Sequence, residues 1–400
     1  MKLWDASKTK ESVIEFCAGW NNKPRRPYDD RLIPYQLKLS RVYSDYLHRV
    51  KLIDSEIITA VHHGLKRLSK SYTDGKLTVQ GYEDVQSLVE SKLIEWYGNR
   101  VGSMHMGLSR NDQIVTLERM WMKDQIAETR SDLASTISVL DEEMKQKGKL
   151  VFPGYTHHRI AMPADYGELL KSYKAGLERD MVSLNQWMQL YNECPLGVGA
   201  GFGSPVNPNR EVLARNLGFI KPTESNIDTV TTRWESETKL ADAMKIMMTH
   251  LSTIAQDFIV YSMEGYDLIS LPREYCTGSS IMPQKRNPDP LETIKRKAKT
   301  IESKSYELSN IGKGNISGYN RDTQGAKYAI MDVFDESAGC LDIISGIIKG
   351  VKVNEEKAKE LLERHGAFSA AEAVRKSIEE GTPYRSTKLG LEEQMKSKKD

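Results

Sequence analysis

The sharpest pattern in the chain is a run of apolar positions spaced alternately by four and three: Leu240, Met244, Met247, Leu251, Ile254, Phe258 and Tyr261. That spacing keeps one stripe of a helix facing the same neighbours over many turns. It predicts a long helix packed nearly parallel to others. Ile126, Leu133, Ile137, Leu140 and Met144 set a second seam, in a segment that starts near Ser109. Leu170, Tyr173, Leu177, Met181, Leu184 and Met188 set a third. Ile330, Phe334, Leu341 and Ile344 predict a fourth helix, and the stretch from Pro290 to about Leu308 a fifth. Sustained two-residue alternation is scarce. Several helices of this length, joined by conspicuous loops, make an all-α helical bundle. The Met and aromatic positions on the stripes are expected to pack its core.

The flanks read differently. Residues 1–103 carry shorter helical patterns broken by NNKPRRPYDD and SYTDGK, which marks an N-terminal, mainly helical domain off from a central bundle over 104–348. Over 349–400 the helices shorten again. VNEEKAKELLERHG predicts a small helix ending at Gly366, and the polar EEQMKSKKD end is expected to fray. Four polar segments open or interrupt the bundle: SMHMGLSRNDQ, FPGYTHHRIAMP, TGSSIMPQKRNPDP and GYNRDTQGAK. Loops at the ends of bundle helices can converge on one site, and loops are where function gathers.

Composition then narrows the choice. The 57 basic and 55 acidic residues nearly cancel, so nothing global points to nucleic acid or an anionic membrane. KRKAK at Lys295–Lys299 fits a solvated helix face. No apolar run approaches the roughly 18 residues that span a bilayer, and MKLWDASKTK holds no apolar signal core. Cys17, Cys194, Cys276 and Cys340 are scattered without C-x-x-C spacing, which fits a reducing compartment. A cytoplasmic protein is expected. His157-His158 lacks the companions of a metal site. LGVGAGFGSP is out of G-x-G-x-x-G register and follows a helix, so it predicts close backbone approach, not a dinucleotide site. Ser109 and Asp112 form an S-x-x-D box at a helix start. Asp289-Pro290-Leu291-Glu292 reads as another start, with Asp289 as cap.

GSSIMPQKRNP at Gly278–Pro288 resembles the signature of the fumarase/aspartase superfamily, G-S-S-x-M-P-x-K-x-N-P, at every specified position. SRNDQ at Ser109–Gln113, PGYTH at Pro153–His157, YNRDTQGAK at Tyr319–Lys327, PYDDRL at Pro27–Leu32 and the MKLW start are similar to its argininosuccinate lyase branch. The resemblance implies a fumarase/aspartase-like long-helix bundle with smaller N- and C-terminal helical domains. It implies a homotetramer whose active sites each take loops from three subunits. The implied reaction uses no metal or cofactor: a reversible anti-elimination splitting argininosuccinate into arginine and fumarate, in arginine biosynthesis.

Such a reaction removes a proton from a carbon beside a carboxylate. Donors must meet the carboxylate oxygens where charge develops, with a base on one face and an acid on the other. The resemblance makes Ser279 the base, its alkoxide stabilised by N–H groups of the Gly278-Ser279-Ser280 turn and by Lys285. His157 becomes the acid for the leaving nitrogen, and Glu292 orients it. Ser109, Arg110, Asn111, Thr156, Asn287, Tyr319, Gln324, Lys327 and, on a weaker match, Arg233 become substrate contacts. The serine loop is expected to close over substrate.

This chain departs from the family pattern at several places. Met106 and Leu108 replace Thr and Arg of H-T-G-R, and Gln86 replaces the histidine of D-x-H-T. Arg25 stands in place of a serine, and Trp234 in place of the aspartate after Arg233. These changes touch substrate contacts. They keep two alternatives open: another superfamily lyase acting on a different succinyl adduct, and a non-catalytic, crystallin-like relative.

Overall fold

The computed structural model describes Lys10 and residues 27–396. The MKLW start, Cys17, Arg25 and residues 397–400 lie outside the described residues. Shorter helices come first: α1 (Ile33–Arg49), α2 (Ser55–Thr73) and α3 (Val85–Tyr97). Asp54 and Asp84 start the last two by accepting the Ile57 and Ser87 N–H groups, the usual service of an N-cap carboxylate. The bundle follows. Helix α4 (Arg110–Lys147) has 38 residues, about 57 Å at the helical rise. After the strands β1 (Val151–Thr156) and β2 (Arg159–Asp165) comes α5 (Tyr166–Tyr191), then β3 (Glu193–Cys194), α6 (Arg210–Leu217), β4 (Lys221–Pro222) and α7 (Asn226–Thr231). Helices α8 (Glu235–Tyr261), α9 (Asp289–Ile311), α10 (Gly325–Ser337) and α11 (Cys340–Gly350) complete the bundle, with β5 (Ile269–Ser270) between α8 and α9. The chain closes with β6 (Lys352–Val353), α12 (Glu355–Arg364), α13 (Ser369–Glu380) and α14 (Tyr384–Lys396). The architecture is all-α. No helix among the described residues is long and apolar enough to cross a membrane.

The first seam is the axis of the core: all seven of its residues, from Leu240 to Tyr261, are buried. Helix α8 packs against α5, α9 and α10, while α4 packs on α5 and α11. Edge-to-face ring pairs join neighbouring helices, with Trp121 of α4 against Phe334 of α10 at 5.3 Å and Tyr173 of α5 against Phe258 of α8 at 6.1 Å. Met181 and Met188 of the third seam are only half-buried. Trp187 fills the core instead, and its indole N–H donates to the Ser236 carbonyl (2.8 Å).

Three expectations are corrected here. The fourth seam belongs to two helices, because Gly339 is left-handed (φ 75°) and stops α10 before α11 begins. A side chain there would be strained, and glycine is not. FPGYTHHRIAMP is a β-hairpin, with Thr156 paired to Arg159 across a two-residue turn. Pro153 stands opposite Pro163 and hides the strand signal. KRKAK is not simply solvated: Lys297 is buried, and its ammonium donates to the Glu336 carbonyl (3.0 Å). The C-terminal helix does stop before Gly366, as its sequence predicts.

Candidate active site

The SRNDQ segment is a helix start tied to the glycine-rich loop. Ser109 Oγ accepts the Asn111 N–H (3.2 Å), and Asp112 Oδ1 accepts the Ser109 N–H (3.0 Å). The other Asp112 oxygen accepts the N–H groups of Gly197 (3.0 Å) and Gly199 (2.9 Å). This grip needs glycine at position 199, where φ is 61° and a Cβ would lie 2.5 Å from the Gly203 carbonyl oxygen. Burial pushes the Asp112 carboxyl up to about 7, against the pull of those N–H donors. Arg110 turns outward to Glu83 (2.6 Å), Asp84 (3.3 Å) and the Ser87 hydroxyl (2.7 Å). The Asp84–Ser87 and Ser109–Asn111 motifs are therefore neighbours. Gln86, within the first of these motifs, is buried, and neither of its amide atoms has a partner.

A second group is buried behind the helices. Lys327, 4% exposed, bonds Asp29 of the PYDD motif. Burial pulls its ammonium down, but Asp29 and Glu118 outweigh that and raise it. Arg233 lies with Nη2 3.7 Å from Glu118 Oε1 and its guanidinium 5.2 Å from the Tyr319 ring. Glu118 and Glu237 are both fully enclosed. Burial raises both carboxyls, and the Glu118 charge raises Glu237 further, to about 8. Half-buried Tyr319 precedes, and half-buried Gln324 ends, the short 3-10 turn Arg321–Gln324 that leads into Lys327.

Asp29, Glu118 and Glu237 carry no role in the sequence reading. A signal exists: from Asp112 to Met122 every residue of α4 is buried, Glu118 and Arg119 included. Charged residues on a helix enclosed all round require partners. Trp234, the departure beside Arg233, packs its indole against Gly312, where a Cβ would meet the ring at 2.1 Å.

The serine loop is built in another way. Thr277 and Asn287 exchange backbone hydrogen bonds (3.0 and 2.9 Å), and Asn287 Nδ2 donates to the Gly278 carbonyl (3.0 Å). These clamp the base of the loop. Inside it Ser279 Oγ accepts the N–H groups of Ile281 (3.3 Å) and Met282 (3.1 Å). The donors thus follow Ser279, rather than lying in the Gly278-Ser279-Ser280 turn as expected. Lys285 is exposed, and so are Ile281 to Arg286 throughout. Asp289 is not a cap: α9 begins at that residue, Pro288 is its N-cap, and the Asp289 carboxylate accepts the Thr277 hydroxyl proton (2.5 Å). Glu292 sits exposed in the first turn.

His157 and His158 form the hairpin turn, both left-handed at φ 51° and 59°. Two-residue hairpin turns of this hand favour Asn-Gly, because side chains are strained there. A strained, exposed histidine pair at a hairpin tip is a functional signal by itself. Thr156 is exposed beside it. Among the described residues, no hydrogen bond or ion pair joins Ser279, Lys285, His157 and Glu292 to one another. One chain brings Arg110 to Asp84, and Arg233 to Tyr319. It leaves the serine loop and the histidine hairpin as separate exposed elements.

Comparison with known proteins places this geometry in context. The family described as Lyase matches residues 18–302. The argininosuccinate lyase of Clostridium kluyveri is 31% identical over 386 residues, covering 96% of this chain and 87% of the relative. That of Thermotoga neapolitana is 29% identical over 401 residues, covering 100% and 99%. Among solved structures, EDDS lyase in complex with formate superposes with a TM-score of 0.85 at 21% identity, covering 96% of this chain and 75% of that one. A class II fumarase from Schistosoma mansoni superposes with a TM-score of 0.77 at 17% identity, covering 97% and 92%.

Proposed function

The chain belongs to the argininosuccinate lyase family, and from that premise we propose how its residues carry the reaction, the reversible elimination of fumarate from argininosuccinate to leave arginine. It is a lyase acting on a carbon–nitrogen bond. Ser279 is the base. The observation that carries this is the pair of N–H groups already aimed at its oxygen. They hold the lone pairs of the hydroxyl and would stabilise the alkoxide once the proton is gone. Lys285 adds positive charge when the loop folds over an anionic substrate, and Asn287 fixes the loop's base. The clamp at Thr277 and Asn287 leaves the segment between them as the moving part.

His157 protonates the departing guanidinium nitrogen, and Glu292 orients it when the two meet. Thr156, Ser109, Arg110 and Asn111 hold carboxylates. For Arg110 this means giving up Glu83, an exposed partner that costs little to release. Tyr319, Gln324, Lys327 and Arg233 receive the rest of the substrate. Because the serine loop and the histidine hairpin are exposed and separate in one chain, the complete site forms between copies, in a homotetramer. Exposed apolar residues on the bundle helices support that assembly: Val182 and Leu190 on α5, Ile246 on α8 and Tyr306 on α9. Its setting is arginine biosynthesis in the cytoplasm.

A second reading, elimination from a different succinyl adduct, is favoured by one observation. Gln86 is buried with both amide atoms unpartnered, beside the residues that hold Arg110. A buried amide without partners is suited to a substrate group that supplies them. The deciding experiment follows fumarate release by ultraviolet absorbance, with argininosuccinate and other succinyl adducts side by side. The account expects argininosuccinate to be cleaved fastest, and Ser279→Ala to lower the rate roughly 10³-fold or more. Faster cleavage of another adduct selects the second reading. Full activity in Ser279→Ala removes the serine as base.

A further inference from the structure

Below the hairpin turn a groove of about 320 Å³ opens between β1–β2, the loop after α8 and the end of α12. That volume suits a small metabolite. His158, Arg159, Arg364 and His365 line it, and no lining residue is acidic. Among the described residues, neither Arg159 nor Arg364 makes an ion pair or side-chain hydrogen bond. Glu360, one turn before Arg364, is already held by Lys357 (2.8 Å). The Tyr155 hydroxyl is buried at the groove and has no partner. Burial pushes that phenol up to about 12, so it stays a neutral donor at physiological pH. A buried hydroxyl without an acceptor is costly. Arg159 and Arg364 line the same groove, and guanidinium forks suit the recognition of an oxyanion.

We infer that this groove binds a small oxyanion carrying at least two negative charges, a phosphate or a compact polycarboxylate. Arg159 reaches it from β2 and Arg364 from α12, with the Tyr155 hydroxyl of β1 as the neutral donor. The groove adjoins the residues assigned to elimination without sharing one: Thr156 and His157 stand between Tyr155 and His158 in the chain but do not line it, and Ser279, Lys285, Asn287 and Lys327 are not part of it. It stands independently of the substrate proposed above. A bound anion ties the hairpin, and with it the His157-His158 turn, to the C-terminal helices.

The test is calorimetric titration of the intact protein with inorganic phosphate and, separately, with citrate, at one low ionic strength. The expected result is one saturable site per chain for at least one of the two. Affinity should fall at least tenfold in the Arg159→Gln/Arg364→Gln double variant and be unchanged in Lys285→Gln. Tighter phosphate binding identifies a phosphoryl ligand, and tighter citrate binding a polycarboxylate. Either result supports the site. Three outcomes overturn it: no saturable binding of either anion, equal affinity in the double variant, or loss of binding in Lys285→Gln, which would move the anion to the serine loop. If the double variant does not fold, Tyr155→Phe keeps the ring and removes only the hydroxyl. A severalfold loss is then expected, and unchanged affinity overturns the assignment as well.

Discussion

Lys327, a candidate substrate contact, and Lys285, a candidate catalytic lysine, have opposite surroundings. Lys327 is almost fully enclosed, bonded to Asp29 and held in the field of Glu118. Its neighbourhood is a set of charges that balance one another inside the fold. Lys285 is exposed on a loop clamped at its base by the Thr277–Asn287 backbone bonds and the Asn287 side chain. The difference teaches which half of the site the chain finishes alone. A buried charge network must be complete before substrate arrives, because an unpaired buried charge destabilises the fold. An exposed loop can wait, since water solvates it until an anion or another subunit replaces the water. Stability and catalysis should therefore separate between the two regions.

The largest separation is expected from matched substitutions. Lys327→Met leaves Asp29 without its cation and Glu118 with Arg233 but not Lys327, and should cost about 3–5 kcal/mol of stability in urea denaturation. Lys285→Met should leave the urea midpoint unchanged and lower the elimination rate roughly 10²–10³-fold. If both variants lose stability equally, the contrast between buried network and exposed loop is wrong.

A smaller effect sharpens the buried side. The Glu237 carboxyl is raised from an ordinary 4.5 to about 8, by burial and then by the Glu118 charge. In that window the folded chain keeps a proton that the unfolded chain releases. The stability contributed is full below the ordinary value and is lost as pH rises through about 8. The slope is up to about 1.4 kcal/mol per pH unit. Glu237→Gln mimics the protonated form, so its unfolding free energy should fall less steeply between pH 5 and 8 than that of the wild type. Parallel curves would mean that Glu237 is ionised throughout.

The smallest effect belongs to the exposed side. His158 occupies a left-handed turn position (φ 59°). His158→Gly should relieve the strain and stabilise the hairpin by about 1 kcal/mol. A loss of stability would show that the side chain holds the turn in place.

How much of this is legible in sequence depends on what each feature rests on. The seam from Leu240 to Tyr261 is legible because one buried stripe on one helix leaves a period. The start at Ser109 is legible because capping chemistry is local. The break at Gly339 is not, since Leu341 and Ile344 continue the apolar spacing across it. The hairpin is hidden by its prolines and by histidines where Asn-Gly is expected. The motif residues are readable one by one, but their grouping is not. Asp29 meets Lys327 across a separation of 298 residues, and no local pattern records such a contact. Glu118 and Glu237 look like ordinary helix charges until their burial is known.

The central claim is that the two differently built halves meet only between copies. It is tested most directly by mixing two inactive variants, Ser279→Ala from the loop and Gln324→Ala from the turn that leads into the enclosed Lys327. The variants are unfolded, combined and refolded together, and fumarate release is then measured. If each site takes Ser279 from one chain and Gln324 from another, some mixed assemblies hold an intact site. Activity should then rise well above that of either parent. If mixed assemblies form and no activity returns, both residues come from one chain, and the account of a site shared between copies is contradicted.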